Sequence, residues 1–186
     1  MKSLKNQFLI SMPSMAESSF AQTVTYICEH DSEGAMGLII NRPTEIPLDE
    51  IFDQLEIDSD TRAHAKQPIY CGGPVQTDRG FILHQSDEQK GWDSTIKISG
   101  NICLTTSKDI LAAIARDEGP DNCLVALGYA GWSPGQLEQE LSDNFWILAP
   151  ASEDIIFNTP FHERLEAAVA QLGIRIEQLS PDAGHA

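Results

Sequence analysis

Cys123-Leu124-Val125-Ala126-Leu127 is an unbroken apolar run, and it constrains the fold more than any other stretch. A strand with one face in water alternates apolar with polar residues, so an uninterrupted run of this length reads as a strand covered on both sides. The run leads directly into GYAGWSPGQLEQEL, Gly128 to Leu141, where Gly128, Gly131 and Gly135, a proline and a tryptophan precede the start of a helix. Ser133 followed three residues later by Gln136 matches a capping box, with Pro134 at the first helical position. That accounts for most of the stretch as a structural turn. The second reading is a ligand-contacting loop, because a glycine-rich turn before a helix N-terminus can cradle an anion. Charge opposes a phosphate: the stretch holds no Lys or Arg, and Glu138 and Glu140 lie in the first two turns. It is neither a P-loop nor a dinucleotide fingerprint.

Elsewhere, β-branched and aromatic residues without helical spacing read as strands over Gln7 to Met12, Thr23 to Cys28, Leu38 to Ile40, Ile69 to Cys71 and Phe81 to Leu83. Gly34 and Gly37 are expected to bracket a turn, and Thr77-Asp78-Arg79-Gly80 to form another. Thr95 to Ile98 and Ile102 to Thr105, separated by Ser99-Gly100-Asn101, have the punctuation of a hairpin. Pro47 opens a helix whose Leu48, Ile51, Phe52 and Leu55 share one face; Ile110, Leu111 and Ile114 mark a second, capped by Thr106 or Ser107. Phe145 to Leu148 reads as a strand and Asp154 to Phe157 as a short one. A last helix is expected from Pro160 to Leu172, with Thr159 before it and Gly173 after it. The connection from Asp58 to Gln67 is polar. Strands in hairpin-like succession with interspersed helices give a mixed α/β or α+β domain with a curved, largely antiparallel sheet.

The chain has 186 residues and no repeat or linker, which fits one domain spanning 1–186. Phe8 to Met12 is too short for a signal-peptide core and no stretch approaches a membrane span, so a cytoplasmic location with no membrane contact is expected. In that setting Cys28, Cys71, Cys103 and Cys123 read as reduced, buried thiols. A net charge of -16 with scattered basic residues repels a phosphate backbone, so direct nucleic-acid binding is not expected.

Cys28-Glu29-His30 is the sharpest chemical candidate. Residues two apart in a strand share a face, which would put an imidazole beside a thiol. Cys71, ahead of Gly72-Gly73, offers a second thiol near backbone N–H groups that could serve an oxyanion. The alternative for both is core packing and chain turning. Cys28, His30, Cys71 and His84 match no standard zinc spacing, so neither metal nor cofactor is expected. His64, His162 and His185 read as surface residues. Arg42, after Asn41, and Arg79, after Asp78, are isolated cations at strand ends. The commoner use is a carboxylate partner such as Glu29, Glu45 or Asp49; the lesser is a shared cleft for an anionic group.

Taken in order, FLISMPSM, ICEHDSEGAMGLIINRP at Ile27 to Pro43, GGPV at Gly72 to Val75, DRGFILH at Asp78 to His84, and LGYAGWSPGQLEQEL followed by NFWIL resemble the bacterial AlgH/YqgE family over nearly the whole chain. The resemblance implies a compact domain with a branched or barrel-like sheet surrounded by helices. It carries over no agreed substrate, cofactor or catalytic residue; some members are labelled transcriptional regulators. The functional expectation is a non-enzymatic regulatory or binding protein that recognises a small ligand or protein near the Gly72, Gly73, Gly131 and Trp132 turns. The alternatives are a cysteine-dependent enzyme or redox sensor using Cys28 or Cys71, and a transcriptional regulator.

Overall fold

The computed structural model describes residues 2–58, 67–87 and 89–179. Within them the chain forms β1 (Gln7–Ser11), β2 (Val24–Asp31), β3 (Gly34–Ile39), β4 (Pro43–Pro47), α1 (Leu48–Gln54), β5 (Pro68–Cys71), β6 (Val75–Gln85), β7 (Thr95–Ser99) and β8 (Ile102–Thr105). Then come α2 (Lys108–Ala115), β9 (Cys123–Trp132), α3 (Gln136–Ser142), β10 (Trp146–Pro150), α4 (Glu153–Phe157) and α5 (Arg164–Ala170). The polar connection expected over Asp58 to Gln67 lies largely outside the described residues, as do His64 and His185.

The strands make one curled sheet in the order β10-β1-β2-β3-β9-β6-β8-β7, with β4 and β5 branching from it. Every pairing is antiparallel except that of β5 with β9. Without β9 the strands fall into three sets: β10-β1-β2-β3, β4-β5 and β6-β8-β7. Strand β9 joins all three, meeting β5 at Ala126 and Leu127, β6 from Cys123 to Leu127, and β3 from Ala130 to Trp132.

This position explains the apolar run. Leu124 and Ala126 face a core formed with Phe8, Tyr26, Phe81 and Leu104 and covered by Ile155, Ile156, Ala168 and Val169 of the last two helices. Val125, between them, faces the opposite core with Leu48 and Phe52 of α1 and Ile110, Leu111 and Ile114 of α2. The strand is therefore covered on both sides, as its sequence predicts.

Beyond Leu127 the alternation changes phase. Tyr129 packs on the first core, while Ala130 and Trp132 join a third, with Leu9, Ile27, Leu137 and Trp146. The shift occurs at Gly128, which takes φ of 72° inside the strand. A left-handed residue within a strand adds a bulge and reverses which neighbours point inward. A Cβ there would stand 2.4 Å from the Gly73 carbonyl oxygen, and one on Gly73 would stand 2.1 Å from the Tyr129 carbonyl carbon. Both glycines let two backbones touch at the branch point.

Several local expectations are corrected. Gly34 and Gly37 both lie in β3, and the tight turn is Ser32-Glu33, where Asp31 Oδ1 accepts from the Glu33 N–H at 2.8 Å. Thr77 to Gly80 is part of β6, with its pairing to β9 interrupted between Val75 and Gly80. Asp154 to Phe157 belongs to α4: Ser152 accepts from Ile155 N–H and Glu153 and Asp154 sit in the first turn, so cap and dipole override the β-branched pair Ile155-Ile156. The helix expected from Pro160 starts in regular form at Arg164, although Gly173 does follow its end with φ of 72°. The hairpin β7-β8 and helix α2 form where expected.

Helix α3 begins at Gln136, preceded by Gly135 with φ of 76°, so neither Ser133 nor Pro134 holds the expected cap position. Half of the box survives: Gln136 Oε1 accepts from the Ser133 N–H at 3.0 Å. Ser133→Ala is accordingly expected to move stability by less than about 0.5 kcal/mol in urea denaturation, and a loss beyond about 1 kcal/mol would contradict this geometry.

Thr25 Oγ1, fully buried, has no hydrogen-bond partner among the described residues. An isosteric apolar replacement removes the desolvation cost, so Thr25→Val is expected to stabilise by about 1 kcal/mol, read as a higher urea midpoint.

Candidate functional site

The Gly128 to Leu141 stretch is held by a carboxylate. Trp132 and Trp146 each donate an indole N–H to Glu140 Oε2 at 2.8 Å, and Gln136 Nε2 donates to Oε1 of the same side chain at 2.9 Å. The two indoles meet edge to face at 6.0 Å, with Phe20 against both. Trp132 is 6% exposed and Trp146 4%. Trp132 is thus a packed residue at the end of a strand, not the tip of a loop. The acidic residue that argued against a phosphate is what ties α3 to β9 and β10.

Above this packed layer, where β6 departs from β9, a groove of about 650 Å³ opens to solvent. Met36, Val75, Phe81 and Tyr129 give it an apolar surface, and Phe81 and Tyr129 meet edge to face at 5.4 Å. Glu29, Asp31 and Glu33, from β2 and the turn after it, stand along the groove with Arg79 of β6. The Arg79 guanidinium lies 5.5 Å from the Phe81 ring centre and, among the described residues, makes only long bonds, to Gln76 at 3.3 Å and Thr106 at 3.4 Å.

Gly131 lies beside Tyr129 in the groove. Unlike Gly128, it is not among the residues with positive φ. A Cβ on it would approach only the far edge of the Tyr129 ring, at 3.1 Å, and Val75 at 3.9 Å. Backbone geometry does not require glycine there. What its missing side chain provides is open space in the groove.

The expected neighbours Cys28 and His30 are not brought together. The β2–β3 register shifts between Ile27 and Glu29, and this bulge breaks the two-residue rule that would align them. Cys28 packs with Tyr26 and Phe8 and directs its Sγ to the Tyr26 carbonyl. His30 instead accepts the Leu4 N–H at Nδ1, at 2.8 Å, which places its proton on Nε2 facing Glu138 Oε1, also at 2.8 Å. Burial, with the nearby Glu29 adding to it, pushes the Cys28 thiol far above its ordinary range. Burial also raises Cys103, and raises Cys123 to about 11. Under native conditions at neutral pH a sulfhydryl reagent is expected to leave Cys28 unmodified until the protein is unfolded; rapid stoichiometric labelling of Cys28 would contradict this.

Cys71 is half-buried, and its N–H donates to the Arg42 carbonyl at 2.8 Å. The N–H of Gly72 is occupied by Leu127 O at 2.8 Å, while Gly72 O accepts from Ile39 N–H at 2.8 Å, so the proposed oxyanion donor at Gly72 is already committed. Gly72 and Gly73 serve the branch point. Asn41 bridges the chain crossing by accepting from Val24 N–H and donating to Gln22 O, both at 2.9 Å. Arg42 donates to the carbonyls of Ser19 and Ala21 rather than to Glu29, Glu45 or Asp49, and does not share the groove with Arg79. No group of three or more His, Cys, Asp or Glu residues is placed to hold a metal among the described residues. No described helix is long and apolar enough to cross a membrane.

Two buried basic side chains, Arg164 and His84, make contacts that their place in the sequence does not indicate. Arg164 donates to Thr159 O at 2.9 Å and to Ile40 O, with its guanidinium 5.0 Å from the Tyr70 ring centre. His84, 1% exposed, donates from Nδ1 to Gln85 O at 2.9 Å, leaving Nε2 to accept from the Thr105 hydroxyl at 2.8 Å. Burial lowers the His84 pKa below 6.5, and the Gln85 hydrogen bond offsets this only in part. The folded state then binds fewer protons than the unfolded chain. This stability is present above the unfolded value and is lost as pH falls through the lowered one. The Tm is expected to decline on acidification from about pH 7 to about pH 5, and less steeply in His84→Gln; equal slopes would contradict the assignment.

The AlgH-like family model matches residues 8–177. A UPF0301 protein of Pseudoalteromonas translucida is 51% identical over 187 residues, covering 100% of both chains. One from Thioalkalivibrio sulfidiphilus is 51% identical over 181 residues, covering 97% of this chain and 96% of its own. The solution structure of AlgH from Pseudomonas aeruginosa superposes with a TM-score of 0.81 at 51% identity, covering 100% of this chain and 97% of that one. A Corynebacterium diphtheriae protein at 19% identity shares the fold, with a TM-score of 0.66 over 89% of this chain and 84% of its own. By sequence along nearly its whole length, and by a fold that superposes on that of AlgH, this chain belongs to the AlgH-like family.

Proposed function

We propose that the protein is a non-enzymatic binding protein whose ligand occupies the groove between the end of β9, the Val75 to Arg79 part of β6 and the β2–β3 turn. The observation that carries this reading is Gly131. Gly73 and Gly128 are required by backbone contact, whereas Gly131 has ordinary strand geometry and its absent side chain leaves an aromatic-lined groove open. A catalytic reading lacks comparable support, since Cys28 directs its Sγ to the Tyr26 carbonyl, His30 is engaged by Leu4 and Glu138 instead, and the Cys28 thiolate is disfavoured.

The test uses the full chain labelled with nitrogen-15, titrated with size-fractionated bacterial extract. At least one fraction is expected to shift the amides of Met36, Tyr129, Gly131 and Ser133. Gly131→Leu, which keeps a permitted backbone but fills the groove, is expected to abolish those shifts while retaining the dispersed spectrum of the folded domain. Shifts that persist in the variant, or no fraction that moves these amides, would overturn the reading.

A further inference from the structure

Three features of the groove specify its occupant further. It is open along its length, whereas sites for small metabolites generally enclose most of the ligand surface. Past Val75 opposite Tyr129 the pairing of β9 with β6 stops, and among the described residues Gly131 and Trp132 pair with β3 alone. Ala130 is fully buried, so the backbone that borders the groove is that of Gly131 and Ser133, a short exposed stretch that suits main-chain hydrogen bonding to an extended segment. The side-chain charges are asymmetric: Glu29, Asp31 and Glu33 line the groove against the single cation Arg79, in a chain of net charge -16.

Resting on the binding reading above, we infer that the occupant is an extended segment of a partner protein carrying lysine or arginine, laid along the end of β9 with its basic side chain toward Glu29, Asp31 and Glu33. Glu29 stands on β2 opposite Met36, and the Asp31 carboxylate is held by its bond to the Glu33 N–H, so one carboxylate is positioned before any partner arrives. Phe81 already carries the Arg79 guanidinium, so it is the Tyr129 ring that offers a basic side chain an aromatic quadrupole beside those carboxylates. The Arg79 guanidinium holds no carboxylate among the described residues and is available to a main-chain carbonyl or acidic group of the same segment. Acidic segments meet three like charges and are disfavoured.

The test is selection of a displayed library of random heptapeptides on the immobilised full-length protein, with parallel counter-selection on Gly131→Leu and on the triple variant Glu29→Gln, Asp31→Asn, Glu33→Gln. Asp31→Asn retains the oxygen that accepts from Glu33, so the turn is kept. Peptides enriched only on the parent are expected to carry lysine or arginine. A synthetic copy of one should lose about tenfold or more in affinity for the triple variant, consistent with removal of charge pairing, and all measurable affinity for Gly131→Leu. Enriched peptides that depend on Gly131 but lack basic residues, or that bind the triple variant equally well, would overturn this inference and leave the groove reading standing. No enrichment over Gly131→Leu would overturn the inference also; the extract titration then decides separately whether the groove binds anything at all.

Discussion

Gly128→Ala is expected to destabilise the protein by about 2 to 6 kcal/mol, the sum of left-handed strain and overpacking, each on the order of 1 to 3 kcal/mol. The residue sits at φ of 72°, and its new Cβ would stand 2.4 Å from Gly73 O and 3.0 Å from Val75 O. Neither is the free end of a side chain, so relief requires the backbone of β9 or of the Gly73 to Val75 segment to move. That movement would disturb the contacts of β5 and β6 with β9 together. Gly131→Ala provides the contrast. Its Cβ meets side-chain atoms alone, the edge of the Tyr129 ring and Val75, so its cost should stay within about 1 kcal/mol. Equilibrium urea unfolding of the two variants measures the difference, and equal midpoints would refute the assignment of Gly128 as the branch residue.

Glu140→Ala is expected to cost about 2 to 5 kcal/mol, because two nearly buried indole N–H groups lose their shared acceptor and each unsatisfied donor costs on the order of 1 to 3 kcal/mol. Glu140→Gln keeps an oxygen in the same place and should recover more than half of that loss. Near-UV circular dichroism gives an independent reading, since the Trp132–Trp146 edge-to-face pair at 6.0 Å is held by this carboxylate. An unchanged aromatic signal in Glu140→Ala would show that packing with Phe20 suffices to hold the two rings.

Period and punctuation made much of this architecture legible. The hairpin around Gly100-Asn101, the stripe Ile110, Leu111 and Ile114, and the doubly covered Cys123 to Leu127 all rest on local spacing, which short elements express directly. What escaped depends on a single residue changing phase. The bulge in β2 between Ile27 and Glu29 separates Cys28 from His30, and Gly128 lets β9 continue to Trp132 where the glycines suggest a turn. No period-two pattern can register either event, because one extra residue reverses the face of every residue after it. The groove was visible only in part. Arg79, Gly131 and Trp132 stand out as a lone cation and punctuating residues, whereas Phe81 reads as strand interior and Met36 and Tyr129 as turn residues until the interruption between Val75 and Gly80 opens a space beside them. In the sequence Glu140 shows only its charge; its role depends on Trp132 and Trp146, eight residues before and six after it, meeting at one oxygen.

The junction role of β9 sets an order on assembly. During synthesis, β1 to β3, β4 with β5, and β6 to β8 are made before Cys123 to Trp132 exists, so β3, β5 and β6 each have an edge whose partner has not been made. Long-range pairings of this kind delay folding, and open edges invite pairing with the wrong chain. A nascent chain halted before Cys123 therefore carries three separate pieces of sheet and no completed domain, and the ten residues that follow bring all three together.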